Sequence, residues 1–208
     1  MGVREHDRAV WEGIFRDADP AWLSAPPSAL MQRAADHFAR AGSRSLLDVG
    51  SGFGRWSVFL ARTVGCRVTG LDSAIGGARL ARRLRGDSAL PAAFLAGEAI
   101  ALPFATGSFD AILAVLLLDN LERPDAAAAV AELDRVARPG ASLFAVFNPL
   151  ERPENASGNN PTAGCHNESY TRKEVVALLH GWRISGEFED EHSLRAFEAI
   201  RHPPSFSR

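Results

Sequence analysis

A chain of 208 residues with 46% hydrophobic and 23% charged side chains is the size of one large domain and can bury a substantial core. Its formal net charge of -2 leaves no global positive field to draw it onto phosphate backbones or anionic lipid, which argues against nucleic acid or a membrane as partner. Two cysteines, Cys66 and Cys165, are too few for a disulfide framework or a four-cysteine zinc site.

The chain opens Met1-Gly2-Val3-Arg4-Glu5 without the apolar stretch that a secretory signal requires, so a cytoplasmic protein is expected. This polar, tryptophan-bearing segment, residues 1–44, reads as a helical cap ahead of the first strand. Short apolar runs then alternate with amphipathic stretches, the pattern of helices packed around a parallel sheet. Strands are predicted at Leu46–Val49, Arg67–Leu71, Ala92–Leu95, Phe109–Val115 and Ser142–Phe147. The run Ala111–Leu118 is bounded by Asp110 and Asp119 and is far shorter than the roughly 18 residues of a membrane span, so it reads as a buried strand. Helices are predicted at Arg55–Val64, Ala74–Arg85 and Pro124–Ala137, with Pro124 in a first helical turn and Pro139-Gly140 stopping the last of them. Arg79, Arg82 and Arg83 share one face of the second of these helices and read as solvated.

After Phe147 the texture changes. Residues 148–169 are rich in Asn, Pro, Gly and Ser with no apolar period, and a loop longer than about 12–15 residues inside a compact domain is usually a lid, a binding loop or disordered. Cys165 and His166 lie side by side in it, an arrangement that rarely chelates one ion, and no metal is expected. A helix at Thr171–His180 leads to strands Trp182–Phe188 and Leu194–Ile200, whose short connection makes them antiparallel.

The strongest signal is Leu46-Leu47-Asp48-Val49-Gly50-Ser51-Gly52-Phe53-Gly54-Arg55, an apolar strand running into a glycine-rich turn that opens a helix. Glycines there permit positive φ and let a ligand approach the main chain, while the helix start offers free N–H groups. A dinucleotide fingerprint, Gly-x-Gly-x-x-Gly, needs its third glycine where this chain has Arg55. The form Asp-x-Gly-x-Gly-x-Gly instead resembles the first motif of class I S-adenosylmethionine-dependent methyltransferases. Four further segments follow in order: Thr69-Gly70-Leu71-Asp72-Ser73, Ala96-Gly97-Glu98-Ala99-Ile100, Gly107 to Val115, and Glu132 to Gly140.

The resemblance implies an α/β, Rossmann-like fold whose seven-stranded, mostly parallel sheet has the order 3-2-1-4-5-7-6, strand 7 antiparallel, in a single domain. Residues 45–147 would form the cofactor-binding core, 148–169 the lid over the acceptor, and 170–208 the C-terminal helix and strand pair. It implies S-adenosyl-L-methionine as cofactor and S-adenosyl-L-homocysteine as product. Asp48, Gly50, Ser51, Gly52 and Gly54 belong to the first contact, Asp72 and Ser73 to the ribose, and Glu98 and Ala99 to the adenine, with Val115 beside them. Asp48 equally suits a cap on the turn or a role in organising the methionine amine. A carboxylate at Asp72 suits a vicinal diol because it accepts two hydrogen bonds.

Methyl transfer from a sulfonium is an in-line displacement, in which a protein mainly aligns the partners and excludes water; a base helps only where the acceptor keeps a proton. Where many family members carry a His pair this chain has Leu118-Asp119-Asn120-Leu121, so Asp119 and His166 are the bases expected within reach. Segments 1–27 and 148–169 are expected to close over the cofactor, offering Asn148, Asn159, Asn160, His166 and Asn167 to the acceptor. Trp11, Phe15 and Trp22 either wall this pocket or staple the first helices to the body. A small-molecule acceptor is expected. The alternatives are a non-catalytic S-adenosylmethionine-binding protein and a nicotinamide-dependent oxidoreductase; against the latter, the only tyrosine, Tyr170, has Glu174 rather than lysine four residues on.

Overall fold

Strands buried on both faces read as continuous apolar runs, and the central strands of this chain do so because consecutive side chains enter opposite layers of the core. A computed structural model describes residues 3–17, 26–85, 90–149 and 165–203. Helices α1 (Val3–Arg16) and α2 (Ala29–Arg40) precede β1 (Ser45–Val49). There follow α3 (Arg55–Thr63), β2 (Arg67–Asp72), α4 (Ile75–Arg85), β3 (Ala92–Ala96) and β4 (Phe109–Val115). A 3-10 turn (Leu118–Asn120), α5 (Arg123–Val136), β5 (Ala137–Phe147), α6 (Arg172–Leu178), β6 (Trp182–Glu189) and β7 (Arg195–Arg201) complete the described elements.

The sheet has seven strands in the order β3-β2-β1-β4-β5-β7-β6, parallel except for β7, which runs antiparallel to both neighbours. Leu46 and Leu47, Ile112 and Leu113, and Leu143 and Phe144 are fully buried neighbours that point into opposite layers. One layer is closed by Leu133 and Val136 of α5 with Val175 of α6, the other by Phe38 of α2, Leu60 of α3 and Ala81 of α4. Local signals agree with these bounds. Ser28 accepts the Met31 N–H ahead of α2, Thr171 and Glu174 form a capping box on α6, and a proline sits in the first turn of α5.

One boundary differs from expectation. Pro139-Gly140 does not sit between helix and strand: α5 ends at Val136 and β5 begins at once, with Ala137 paired to Phe109. The chain absorbs Pro139 in a register shift between Phe109 and Ala111, where Gly140 takes φ +76°. Arg79, Arg82 and Arg83 are exposed as expected, and Arg82 also donates to the Phe94 carbonyl in the middle of β3.

Candidate functional site

The parallel strands end together, and beyond their carboxyl ends lies a cavity of about 340 Å³, within the size range of small-molecule sites. Its floor is the turn between β1 and α3. Gly50 and Gly52 both take positive φ, +74° and +52°, and both line the cavity together with Ser51. A Cβ on Gly50 would stand 3.1 Å from Leu117, so only a glycine leaves this passage open without displacing a neighbour.

Asp72, Ser73, Glu98, Ala99 and Val115 line the same cavity, so the expected contacts of β1, β2, β3 and β4 converge on one space. The Asp72 carboxylate holds the turn as well as facing the cavity: it accepts the Gly52 N–H and the Ala74 N–H, each at 2.8 Å. Burial raises its pKa, the two backbone donors oppose that, and the nearby Glu12 and Glu98 add to the rise. A carboxylate offers about four lone-pair directions, so two donors leave room for a diol. Glycine floor, carboxylate wall and size together fit S-adenosylmethionine.

The opposite wall comes from α1 and from the chain after β4. Trp11 and Phe15 stack at 5.7 Å and both line the cavity, as do Phe53 of the turn, which Phe15 meets edge-on at 6.2 Å, and Trp56 of α3. Leu116 takes φ 50°, an unusual conformation for a leucine, held by its N–H to the Val146 carbonyl at 2.9 Å and by Asn120, whose amide donates to the Leu116 carbonyl. Asn120 also lines the cavity and accepts from Asn167 at 3.1 Å. α1 is tied to both sides: Arg8 ion-pairs with Glu98 at 3.1 Å, and Asp7 accepts the His166 backbone N–H at 3.2 Å.

Several expected residues stand elsewhere. Gly54 does not line the cavity; a Cβ there would lie 2.5 Å from Phe94 and 2.7 Å from Ala81, so this glycine serves helix-to-sheet packing. Asp48 is 2% exposed behind the turn, where the Ser57 hydroxyl donates to it, and burial pushes its carboxyl up to about 7, with the Asp72 charge adding to the rise. Asp119 is 1% exposed, is not a lining residue, and accepts both N–H groups of Asn148; that pairing joins the turn after β4 to the end of β5 and spends Asn148 as well. His166 pairs with Glu168 at 3.2 Å and is likewise not a lining residue. Trp22, Asn159, Asn160 and most of the expected lid, residues 150–164, lie outside the described residues. Sequence reasoning passed over Arg8, Glu12 and Asn120; the signal for the first two was the helical spacing of Arg8, Trp11, Glu12 and Phe15, and for Asn120 its place in the replaced His pair.

A family model described as a methyltransferase domain matches residues 46–140. The demethylmenaquinone methyltransferase of Beutenbergia cavernae is 41% identical over 176 residues, covering 71% of this chain and 69% of that protein. The protein of the same name from Renibacterium salmoninarum is 35% identical over 133 residues, and the chain spans about half of its length, 49%. In fold, a methyltransferase from Aquifex aeolicus matches with a TM-score of 0.72 at 23% identity, covering 92% of this chain and 98% of that one. The chain belongs to the class I S-adenosylmethionine-dependent methyltransferases.

Proposed function

We propose that the chain transfers the methyl group of S-adenosylmethionine to a small, flat, apolar acceptor with an electron-rich ring. The observation that carries this reading is the division of one cavity into a wall of backbone and carboxylates, at Gly50–Gly52, Asp72 and Glu98, and a wall of aromatic and aliphatic side chains, at Trp11, Trp56, Leu117 and Leu121. The first suits a polar nucleoside, the second a hydrophobic ring. Relatives named for demethylmenaquinone support an acceptor of that shape. Among the described residues, lining carboxylates at Asp7, Asp72, Glu98 and Glu122 outnumber the lining cations Arg8 and Arg55, which disfavours a polyanion such as nucleic acid.

S-adenosylmethionine, when bound, supplies an activated methyl on its sulfonium. The chain's own residues then bind, orient and exclude water. The backbone of Gly50–Gly52 and the Asp72 carboxylate fix the nucleoside, and the strained Leu116 with Leu117 and Trp11 keeps the transfer zone dry. Asn120 presents an amide, which orients an acceptor oxygen but removes no proton at neutral pH. Asp119, buried against Asn148, is a positioning group for the junction of β4 and β5 rather than a base in contact with acceptor. Neither Asn120 nor Asp119 thus supplies a base, which suits an acceptor that brings its own reactivity, as a ring carbon or oxygen activated by a hydroxyl that ionises readily.

The test is transfer of labelled methyl from S-adenosylmethionine to a panel of dihydroxynaphthalenes, catechols, aliphatic alcohols, amines and thiols. Label in the hydroxylated aromatics is the expected result. Label only in amines or thiols would overturn the acceptor class, and none in any compound, with cofactor bound, would favour a non-catalytic binding role.

A further inference from the structure

Glu98 is held in a way that the methyl-transfer reading does not by itself require. Arg8, Trp11, Glu12 and Phe15 fall at i, i+3, i+4 and i+7 of α1, one face of a helix, and Arg8, Trp11 and Phe15 line the cavity. Glu12 accepts the Gly76 N–H with its two oxygens at 2.9 and 3.2 Å, at the start of α4. Phe15, 8% exposed, packs over Gly52 and Gly77, where an added Cβ would meet its ring at 3.3 and 3.0 Å. These contacts set the height and rotation of α1 above the glycine turn. With the helix so fixed, Arg8 delivers Nη1 to Oε1 of Glu98 at 3.1 Å, while Oε2 has no protein partner among the described residues.

We propose that Arg8 is a positioning residue for recognition of the cofactor base: by holding Oε1 it turns the Glu98 carboxylate so that Oε2 meets the exocyclic amine of adenine. The inference rests on the reading of Glu98 as the adenine contact. Glutamate has one more rotatable bond than aspartate, and an unheld carboxylate gives up that freedom when it binds. Arg8 removes most of it beforehand. The pair is 44% and 42% exposed, and ion pairs that open to solvent contribute little to folding, so the effect of Arg8 should show in base discrimination and not in stability.

Calorimetry on the full chain tests this with two probes, S-adenosylhomocysteine and the analogue whose base is purine, lacking only the exocyclic amine. The wild-type chain should prefer the adenine form by about tenfold, the effect of one hydrogen bond to a partly solvated carboxylate. Arg8→Ala should reduce that preference to about twofold while binding the purine form as the wild type does, and Arg8→Lys should restore part of it. Glu98→Ala is the control. If it leaves the preference intact, the adenine reading of Glu98 is wrong and the inference falls with it. If Glu98→Ala abolishes the preference but Arg8→Ala weakens both ligands equally, or neither, Arg8 only docks the helix and the positioning role is overturned.

Discussion

The two walls of the cavity are made of different material. On the sheet side the surface is main chain and short acids: Gly50, Ser51 and Gly52 at the end of β1, Asp72 at the end of β2, Glu98 after β3. On the other side it is large side chains carried by α1 and by the turn after β4, at Trp11, Leu116, Leu117 and Asn120. The first wall is fixed by strand pairing, because β1 and β2 in register put the glycine turn directly beside Asp72. The second is fixed by contacts between elements far apart in sequence, such as Glu12 to Gly76 and Asp7 to His166. In the proposed function the first wall meets the cofactor and the second the acceptor.

Substitutions on the two sides should separate in what they disturb, and the largest effects belong beneath the sheet-side wall. Burial raises the Asp48 carboxyl from 3.8 to about 7. The folded chain therefore keeps a proton that the unfolded chain has already released, so the stability contributed by the neutral acid is complete below pH 3.8, declines as pH rises to about 7, and is flat above it. That decline amounts to on the order of 4 kcal/mol. Asp48→Asn should remove it, leaving the variant more stable than the wild type at pH 8 in urea unfolding. Equal pH dependence in the two proteins would mean that Asp48 is ionised and solvated in the fold.

Gly54→Ala comes next. It forces φ +74° on a residue with a Cβ and drives that atom to 2.5 Å from Phe94, which should cost about 3 kcal/mol of stability. The folded fraction should still bind S-adenosylhomocysteine as the wild type does, because Gly54 faces the core; a selective loss of affinity would return it to the cavity. Asp72→Ala should instead weaken S-adenosylhomocysteine binding by about 1.5–3 kcal/mol, measured by calorimetry. Unchanged affinity would place the ribose elsewhere. The smallest effect should come from the acceptor side: Asn120→Ala should raise the acceptor KM about three- to tenfold, the loss of one uncharged hydrogen bond, with cofactor affinity untouched. A matching fall in cofactor affinity would show that the two walls are not separable.

The same division decides what the sequence made readable. Strand bounds, the sheet order and the placing of Gly50, Gly52, Asp72 and Glu98 at one edge follow from periodicity and from the resemblance, because each depends on residues close in the chain or on a single repeated pairing rule. Gly54 shows the limit of that logic: the turn needs a glycine there, but whether the missing side chain makes room for a ligand or for Phe94 depends on how α4 and β3 pack across it. Asp119 shows the same limit, since a carboxylate beside a site is a base only if it faces the site, and Asn148, 29 residues away, turns it inward. Pro139-Gly140 marked the end of α5 to within a residue but gave no sign that β5 starts ahead of it, because that start depends on the pairing of Ala137 with Phe109. The helix-borne wall was least legible because Arg8 and Glu12 are ordinary surface charges until Glu98 and Gly76, 90 and 64 residues on, come to meet them.

The central claim is that the cavity between these walls is a cofactor site, and the most direct test is a calorimetric titration of S-adenosylhomocysteine into the full chain at neutral pH. Saturable binding of one ligand per chain at micromolar concentration or below, competed by S-adenosylmethionine and weakened in Asp72→Ala, is the result predicted. A chain that is folded by circular dichroism yet gives no heat at high micromolar ligand, or binds with Asp72→Ala unchanged, would contradict it.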